Sequence, residues 1–414
     1  MAAGRFQAPR GTFDVLPAAA RTRRRIEQAA AAIFARAGYE PIATPSFEDT
    51  ELFERGVGHS TDIVRKEMFT FEDKGGRSLT LRPEGTAPIC RAYVEHGMQQ
   101  LAQPVKLFYA GPFFRHERPQ AGRYRQFHQL GAEAIGTDSP GADAELIGLL
   151  AALLAELGVP GVELRLGSLG SFAARQAYLE ELRAHLRGHE GDLAREVRDR
   201  IDANPLRAFD SDDEGTAAVM AVAPKLVDRL EGEDAEHFAE VRALLDATGI
   251  AYAIDPTLVR GLDYYTRTIF SFVCDRLGAQ SEIGGGGRYD GLIEQLGGRP
   301  TPAVGWAAGV ERIMLALGEE EDEPQRDVFV AVAEDGDARR AMVLTAELRR
   351  AGLSAELDLA GRGLKGQLKH ADRIGARRVL LLEGDGAQLR DMTSGEQRPI
   401  DTSKLVEEIG TGEA

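Results

Sequence analysis

"GPFFRHERPQAGRYRQFHQLGAE", residues 111–133, sets Arg115, Arg118, Arg123 and Arg125 with His116 and His128 among Phe113, Phe114, Tyr124 and Phe127, and ends on Glu133. Its two halves extend into "VKLFYAGPFFRHE" and "RYRQFHQLGAEAIG", which read as antiparallel strands around a Pro-Gln-Ala-Gly loop. Arginines on adjacent strands joined by a short loop form a fork of fixed donors. Guanidinium groups bind phosphate oxygens bidentately, so such a fork suits a phosphate. The aromatic rings could floor a flat base. An exposed hairpin whose arginines pair with surface carboxylates is the commoner use of the same residues, and composition alone favours it.

The chain around this stretch has 414 residues, room for two or three domains. It carries 50 Lys+Arg against 66 Asp+Glu, a net charge of −16. A chain that coats nucleic acid along its length would be basic, so any polyanion site here is a local patch on an acidic body. Cys90 and Cys274 have no C-x-x-C partner. That argues against a structural zinc site or a disulfide framework, fits a reducing compartment, and leaves no metal site expected. "MAAGRFQAPRGTFDVLP" lacks an apolar signal core, and no stretch approaches the ~18–20 apolar residues of a membrane span. The expectation is a cytoplasmic protein with no membrane contact.

Upstream, residues 21–37 place Ile26, Ala30, Ile33, Phe34 and Ala37 at helical spacing, and Gly38 ends the run. "YEPIATPSFE" reads as a strand broken by Pro41 and Pro45, fit for an edge or interface. "MFTFEDKGGRSLTLRPEGT" reads as a hairpin, with Thr86 as the expected N-cap of the next helix. The first half is thus antiparallel sheet with flanking helices and no βαβ series. Residues 172–250 are helical in pattern, and strand-like sequence returns at "AYAIDPTLVRGLDYYTRTIFSFVCD". After a charged linker at 318–327, "VFVAVA", "LSAELDL" and "RRVLLLEG" alternate with helical patterns, as in a small, largely parallel α/β domain.

Other stretches carry two readings each. Gly284–Gly287 in "IGGGGRYDGL" strip side chains from a strand, either for a ligand or for a close strand crossing. Neither a Walker loop nor a dinucleotide fingerprint fits the context. Glu84 of "RPEGT" could hold an ammonium group or serve the helix dipole. Tyr264 and Tyr265 of "RGLDYY", read as strand residues, would face opposite ways. Arg312 of "GWAAGVERI" follows small residues that allow close approach, or is a surface arginine. Lys365, Lys369, Arg373 and Arg377 recur at i+4 and would line one helical face in a segment with six Lys/Arg against one Asp, residues 361–378. A solvated face is the usual meaning; an RNA backbone contact is the sharper one.

The order of these stretches resembles that of class II aminoacyl-tRNA synthetases, and specifically the histidyl branch, over essentially the whole chain. "FRHERPQAGRYRQFHQLGAE" is similar to the family's motif 2, "GWAAGVERI" to motif 3, and the helix and Pro-containing strand at 21–47 to motif 1, the dimer element. "RGLDYY" and "GGRYDGL" resemble the two peptides peculiar to the histidyl enzymes, and "GTFDVLP" resembles their opening. The C-terminal segment is similar to the anticodon-binding domain, although "DGAQLRDMTSGEQ" is shorter and more irregular than that pattern.

The resemblance implies an α+β fold. A class II antiparallel-sheet catalytic domain would span 1–171 and 251–322, with a helical insertion at 172–250 and an α/β anticodon-binding domain at 326–414. It implies activation of L-histidine by ATP with Mg2+, transfer to tRNA(His), and a homodimer. Arg115 and Arg260 would be catalytic. Glu84, Gly85, Thr86, Gln129, Glu133, Arg260, Tyr264 and Tyr265 would bind histidine. Arg115, Glu117, Arg123, Phe127 and Arg312 would bind ATP. Arg118, Gln120, Lys365, Lys369, Arg373 and Arg377 would meet tRNA. A catalytically silent paralogue serving histidine biosynthesis would keep the fold without needing the ATP arginines or the anticodon domain, and a non-catalytic RNA-binding module would not need the amino-acid-reading carboxylates.

Overall fold

The computed structural model describes residues 6–58, 61–259, 262–278, 281–318, 325–333 and 337–410. The chain forms two compact units, residues 1–320 and 321–414. In the first, α1 (Pro17–Arg36) leads to β1 (Glu40–Pro41), β2 (Phe47–Asp49), α2 (Thr50–Val57), β3 (Phe69–Glu72), β4 (Ser78–Leu81) and α3 (Thr86–Glu95). The two strands of the opening stretch follow as β5 (Val105–Phe114) and β6 (Gln126–Ile135). After α4 (Pro140–Glu156) and β7 (Val162–Ser168) come four helices: α5 (Phe172–Gly188), α6 (Arg195–Arg198), α7 (Glu214–Ala221) and α8 (Gly232–Ala247). The unit closes with β8 (Ala253–Ile254), β9 (Thr266–Cys274), β10 (Glu282–Arg288), α9 (Leu292–Gln295), β11 (Ala303–Gly309) and α10 (Val310–Leu317).

Eight of these strands form one sheet in the order β1-β5-β6-β11-β10-β9-β7-β8. The edge pairs β1–β5 and β7–β8 are parallel, and every pair between them is antiparallel. Alternation along β6 decides its two faces. Leu130, Ala132 and Ala134 join Trp306 of β11 and Phe270 of β9 in a core with Phe34 of α1, Leu150 of α4, Val241 of α8 and Ile313 of α10. Gln129, Gly131 and Glu133 point to the opposite face. The helix α8 therefore packs into the helix layer of the main sheet, while Tyr178, Leu182 and Leu186 of α5 belong to a second core with α3 and β5. A separate three-stranded sheet, β2-β4-β3, carries the hairpin expected at 68–86. The broken strand at 39–48 divides between the two sheets, as β1 and β2, and sits at an edge of each.

The second unit runs β12 (Arg326–Val332), α11 (Ala338–Arg350), β13 (Ala355–Leu357), α12 (Leu364–Arg373), β14 (Ala376–Glu383), β15 (Gly386–Asp391), β16 (Gln397–Pro399) and α13 (Leu405–Gly410). Its sheet order is β13-β12-β14-β15-β16, parallel among the first three strands and antiparallel beyond. Along β12, Val328 and Val330 pack toward α11, whereas Phe329 and Ala331 pack with Ala371 of α12. The stretch "DGAQLRDMTSGEQ", irregular by composition, is a regular hairpin. Asp391 accepts the backbone N–H groups of Thr393 and Ser394 at 2.9 and 2.8 Å and turns β15 into β16.

The basic stripe is shorter than its spacing suggests. Lys365, Lys369 and Arg373 are exposed on α12. Gly375 then turns the chain at φ +63°, so Arg377 belongs to β14, where its Nε donates to Gln325 at 2.9 Å.

Candidate active site

The face of the main sheet opposite the helix layer carries few large side chains across its centre. Strand register places Gln129, Gly131 and Glu133 of β6 beside Gly111, Tyr109 and Leu107 of β5 and beside Gly309, Ala307 and Gly305 of β11. Gly285 and Gly287 of β10 continue the row as partners of Ala307 and Gly305. The four-glycine run is thus an interior strand, with register shifts near both of its ends. The small residues there are needed. A methyl group at Gly305 would fall 1.5 Å from Glu133 Oε2, and one at Gly131 would fall 2.3 Å from the Tyr109 ring.

Glu133 is fully buried on that face (0 % exposed). Its Oε1 accepts the Thr86 hydroxyl at 2.8 Å and its Oε2 accepts the Tyr289 hydroxyl at 2.6 Å. Burial raises its pKa to about 8, against the two hydrogen bonds, which favour the charged form, and with some repulsion from Glu84. Glu84 accepts the backbone N–H groups of Thr86 and Ala87 at 2.7 and 2.9 Å, so its carboxylate caps α3. Thr86 is consequently the first residue of the helix and not its N-cap. That position is Gly85, where a Cβ would lie 2.5 Å from the Tyr109 ring. Tyr264 and Tyr265 precede β9, in a turn, and do not face opposite ways. Both are buried, with ring centroids 4.7 Å apart, and Tyr264 lies edge-on to Tyr289 at 5.7 Å. Two buried polar atoms on this face, Tyr109 OH and Gln129 Oε1, have no hydrogen-bond partner among the described residues. Buried polar atoms are nearly always paired, so both are open to a polar ligand or to water.

The arginines gather where β5 and β6 diverge. Arg115 Nε donates to Pro83 O at 2.8 Å, beside Glu84, and its guanidinium lies 5.4 Å from the centre of the Phe127 ring. Glu117 stands between Arg115, at 3.8 Å, and Arg123, at 3.3 Å. Arg312 of α10 reaches the tip of the same loop, donating to Gly122 O at 3.3 Å and to Glu282 O at the start of β10. Arg118 and Gln120 are exposed on the loop, whose tip is closed by reciprocal backbone bonds between Gln120 and Arg123. Glu67, Glu84 and Glu282 also border these arginines; three guanidinium groups converging beside an aromatic ring can take a polyphosphate and a flat base.

Glu84, Gly85, Thr86, Glu133, Tyr264 and Tyr265 therefore meet around one pocket. Arg115, Glu117, Arg123, Phe127 and Arg312 meet around the loop, and Gln129 lies on the strand that joins the two. Arg260 lies outside the described residues. Sequence reasoning misses two pocket residues. Tyr289 is visible as the tyrosine of "GGRYDGL". Tyr109 carries no local signal beyond strand alternation.

Comparison with known proteins places the chain in a family. The family model for histidyl-tRNA synthetase matches residues 11–313, and that for an anticodon-binding domain matches residues 327–411. The chain is 46 % identical over 412 residues to the histidine–tRNA ligase of Halothermothrix orenii, covering 97 % of this chain and 98 % of that one. It is 48 % identical over 408 residues to that of Anaeromyxobacter dehalogenans, with the same two coverages. The crystal structure of apo S. aureus histidyl-tRNA synthetase superposes with a TM-score of 0.82 at 37 % identity, covering 98 % of this chain and 100 % of that one. With both family models in sequence, and whole-length relatives well above the level at which fold alone is shared, the chain belongs to the histidyl-tRNA synthetase family.

Proposed function

We propose that this chain activates L-histidine with ATP to histidyl-adenylate and pyrophosphate, then transfers the histidyl group to the 3′ end of tRNA(His). One observation carries the reading. A buried carboxylate held by two hydroxyls and an arginine-lined loop lie along a single strand pair, β5–β6. In the first step a carboxylate oxygen of histidine attacks the α-phosphorus of ATP in line, and pyrophosphate leaves with the electrons of the broken P–O bond. In the second a hydroxyl of the terminal ribose attacks the activated carbonyl and AMP leaves. No protein nucleophile is needed, because positioning and charge stabilisation suffice.

Glu133 would accept a ring N–H of the substrate, with Tyr264 or Tyr265 answering the other nitrogen. Gln129, whose Oε1 lacks a partner among the described residues, and Glu84 with Gly85 and Thr86 at the start of α3 would take the α-amino group. Arg115 and Arg260 would stabilise charge on the α-phosphate. Phe127 would stack on adenine, and Arg123 and Arg312 would hold the far end of ATP. Mg2+ would be held at the same end chiefly by the phosphate oxygens, with Glu117 as a hard oxygen donor, and would screen phosphate charge. Arg118 and Gln120 would meet the acceptor end of tRNA. A homodimer through α1 and β1 accords with their similarity to motif 1.

Pyrophosphate exchange into ATP, measured without tRNA for each amino acid in turn, should proceed with histidine alone. Exchange with none, or faster exchange with another amino acid, overturns the proposal.

A further inference from the structure

We propose that residues 9–13, far from the pocket in sequence, are a positioning strap for the loop that carries Arg115, Glu117 and Arg123. The inference rests on the reading of that loop as the ATP site. In an ordinary antiparallel pair the hairpin would continue past Phe114 and Gln126 with reciprocal backbone bonds. Here only half of the next rung forms. Arg115 N–H donates to Arg125 O at 3.0 Å, but Arg125 N–H turns away and donates to Gly11 O at 2.7 Å. On the other arm His116 N–H donates to Glu67 O at 2.7 Å. Each arm is therefore bonded to a different outside segment, and the loop is held splayed, with Glu117 between Arg115 and Arg123.

The strap is shaped to its partner. A turn closed by Thr12, whose N–H and hydroxyl both donate to Pro9 O, at 3.0 and 2.7 Å, presents Gly11 at φ +86°. A Cβ there would meet the Arg125 side chain at 2.8 Å and Pro119 at 3.0 Å. The Arg125 guanidinium bridges the two segments, with Arg10 O and Glu117 O each 3.4 Å from its nitrogens. Two residues on from Gly11, the Phe13 ring lies 4.5 Å from the Tyr124 ring. Phe13 is 42 % exposed, so the contact adds little to the core and acts chiefly on the loop.

The strap touches the arginine end and not the pocket around Glu133, so it should act on ATP and not on histidine. In pyrophosphate exchange with the full chain, Phe13→Ala should raise the KM for ATP roughly three- to tenfold, the range expected for removing one ring pair, and Gly11→Ala should raise it by displacing Arg125. The KM for histidine and the thermal midpoint of Phe13→Ala should stay near wild type. Phe13→Tyr should restore the ATP value. Phe13→Ala combined with Tyr124→Ala should be no worse than the poorer single variant, because both remove the same ring pair. Arg123→Ala supplies the reference. If it leaves the KM for ATP unmoved, the reading of the loop falls and the strap with it. If Arg123→Ala raises that KM and neither strap variant does, the strap alone is overturned. Equal rises for ATP and histidine would also overturn it, since they mark general loosening.

Discussion

Glu133 ties stability to function through one proton. Burial moves its pKa from the ordinary 4.5 to about 8. Between those values the folded protein holds a proton that the unfolded chain has released. Stability therefore falls as pH rises through this window, by up to about 1.4 kcal/mol per unit, and levels off above it. Glu133→Gln keeps the shape of the side chain and removes the titration. Its melting temperature should change less between pH 5 and pH 8 than that of wild type. Exchange with histidine, assayed above pH 8 where the Glu133 carboxylate is ionised, should drop by roughly ten- to a hundredfold or more, as expected for removing a charge-assisted bond of about 1.5–3 kcal/mol. Wild-type activity in this variant would remove Glu133 from ring recognition, and an unchanged pH slope would remove its buried proton.

At the level of strands and helices, the arrangement around Glu133 depends on register between segments far apart in sequence. Gly305 opposes Glu133 in β11, and the side-chain volume it forgoes is the volume the carboxylate occupies. Gly305→Ala should therefore abolish histidine activation or greatly raise the KM for histidine, while ATP binding, measured by calorimetry, stays within a few-fold of wild type. Comparable damage to both would mean that the sheet itself has shifted. The same register explains which parts of the site are legible in the sequence. The β5–β6 hairpin can be read from alternation and its loop, because both are local. The Tyr289–Glu133 bond cannot, because it spans 156 residues. Alternation misplaces Tyr264 and Tyr265 because the rule holds only inside a strand, and β9 begins at Thr266. Residue type misplaces Thr86 as a cap because Glu84 already serves the first N–H groups of α3. Arg377 keeps the four-residue spacing beyond a helix that has already ended at Arg373. Behind the pocket Arg288, wholly buried, pairs with Asp143 of α4 and donates to Thr137 O at 2.8 Å. That anchors the residue next to Tyr289 in a way no local pattern reveals.

On the scale of the whole molecule, the chemistry and the basic helix belong to different units. The described pocket and loop residues all precede residue 318, and the cores beneath them draw on no residue of the second unit. A chain lacking 326–414 should therefore fold, form histidyl-adenylate, and charge tRNA poorly, because the anticodon end of a tRNA lies far from its acceptor end and needs a separate module to reach it. Within that module Lys365, Lys369 and Arg373 share the exposed side of α12, whereas Arg377 leaves the row and is bonded to Gln325. Removing one phosphate-binding cation should lower the salt dependence of binding by roughly one unit of slope. Replacing the three helical residues with Ala should raise the KM for tRNA and flatten its logarithmic response to salt by up to about three units. Adding Arg377→Ala should change the slope little further, and pyrophosphate exchange should stay at the wild-type rate throughout. A slope that ignores the helix but answers to Arg377 would transfer the RNA contact from α12 to the strand side of the domain. A slope that answers to neither would make the stripe a solvated face.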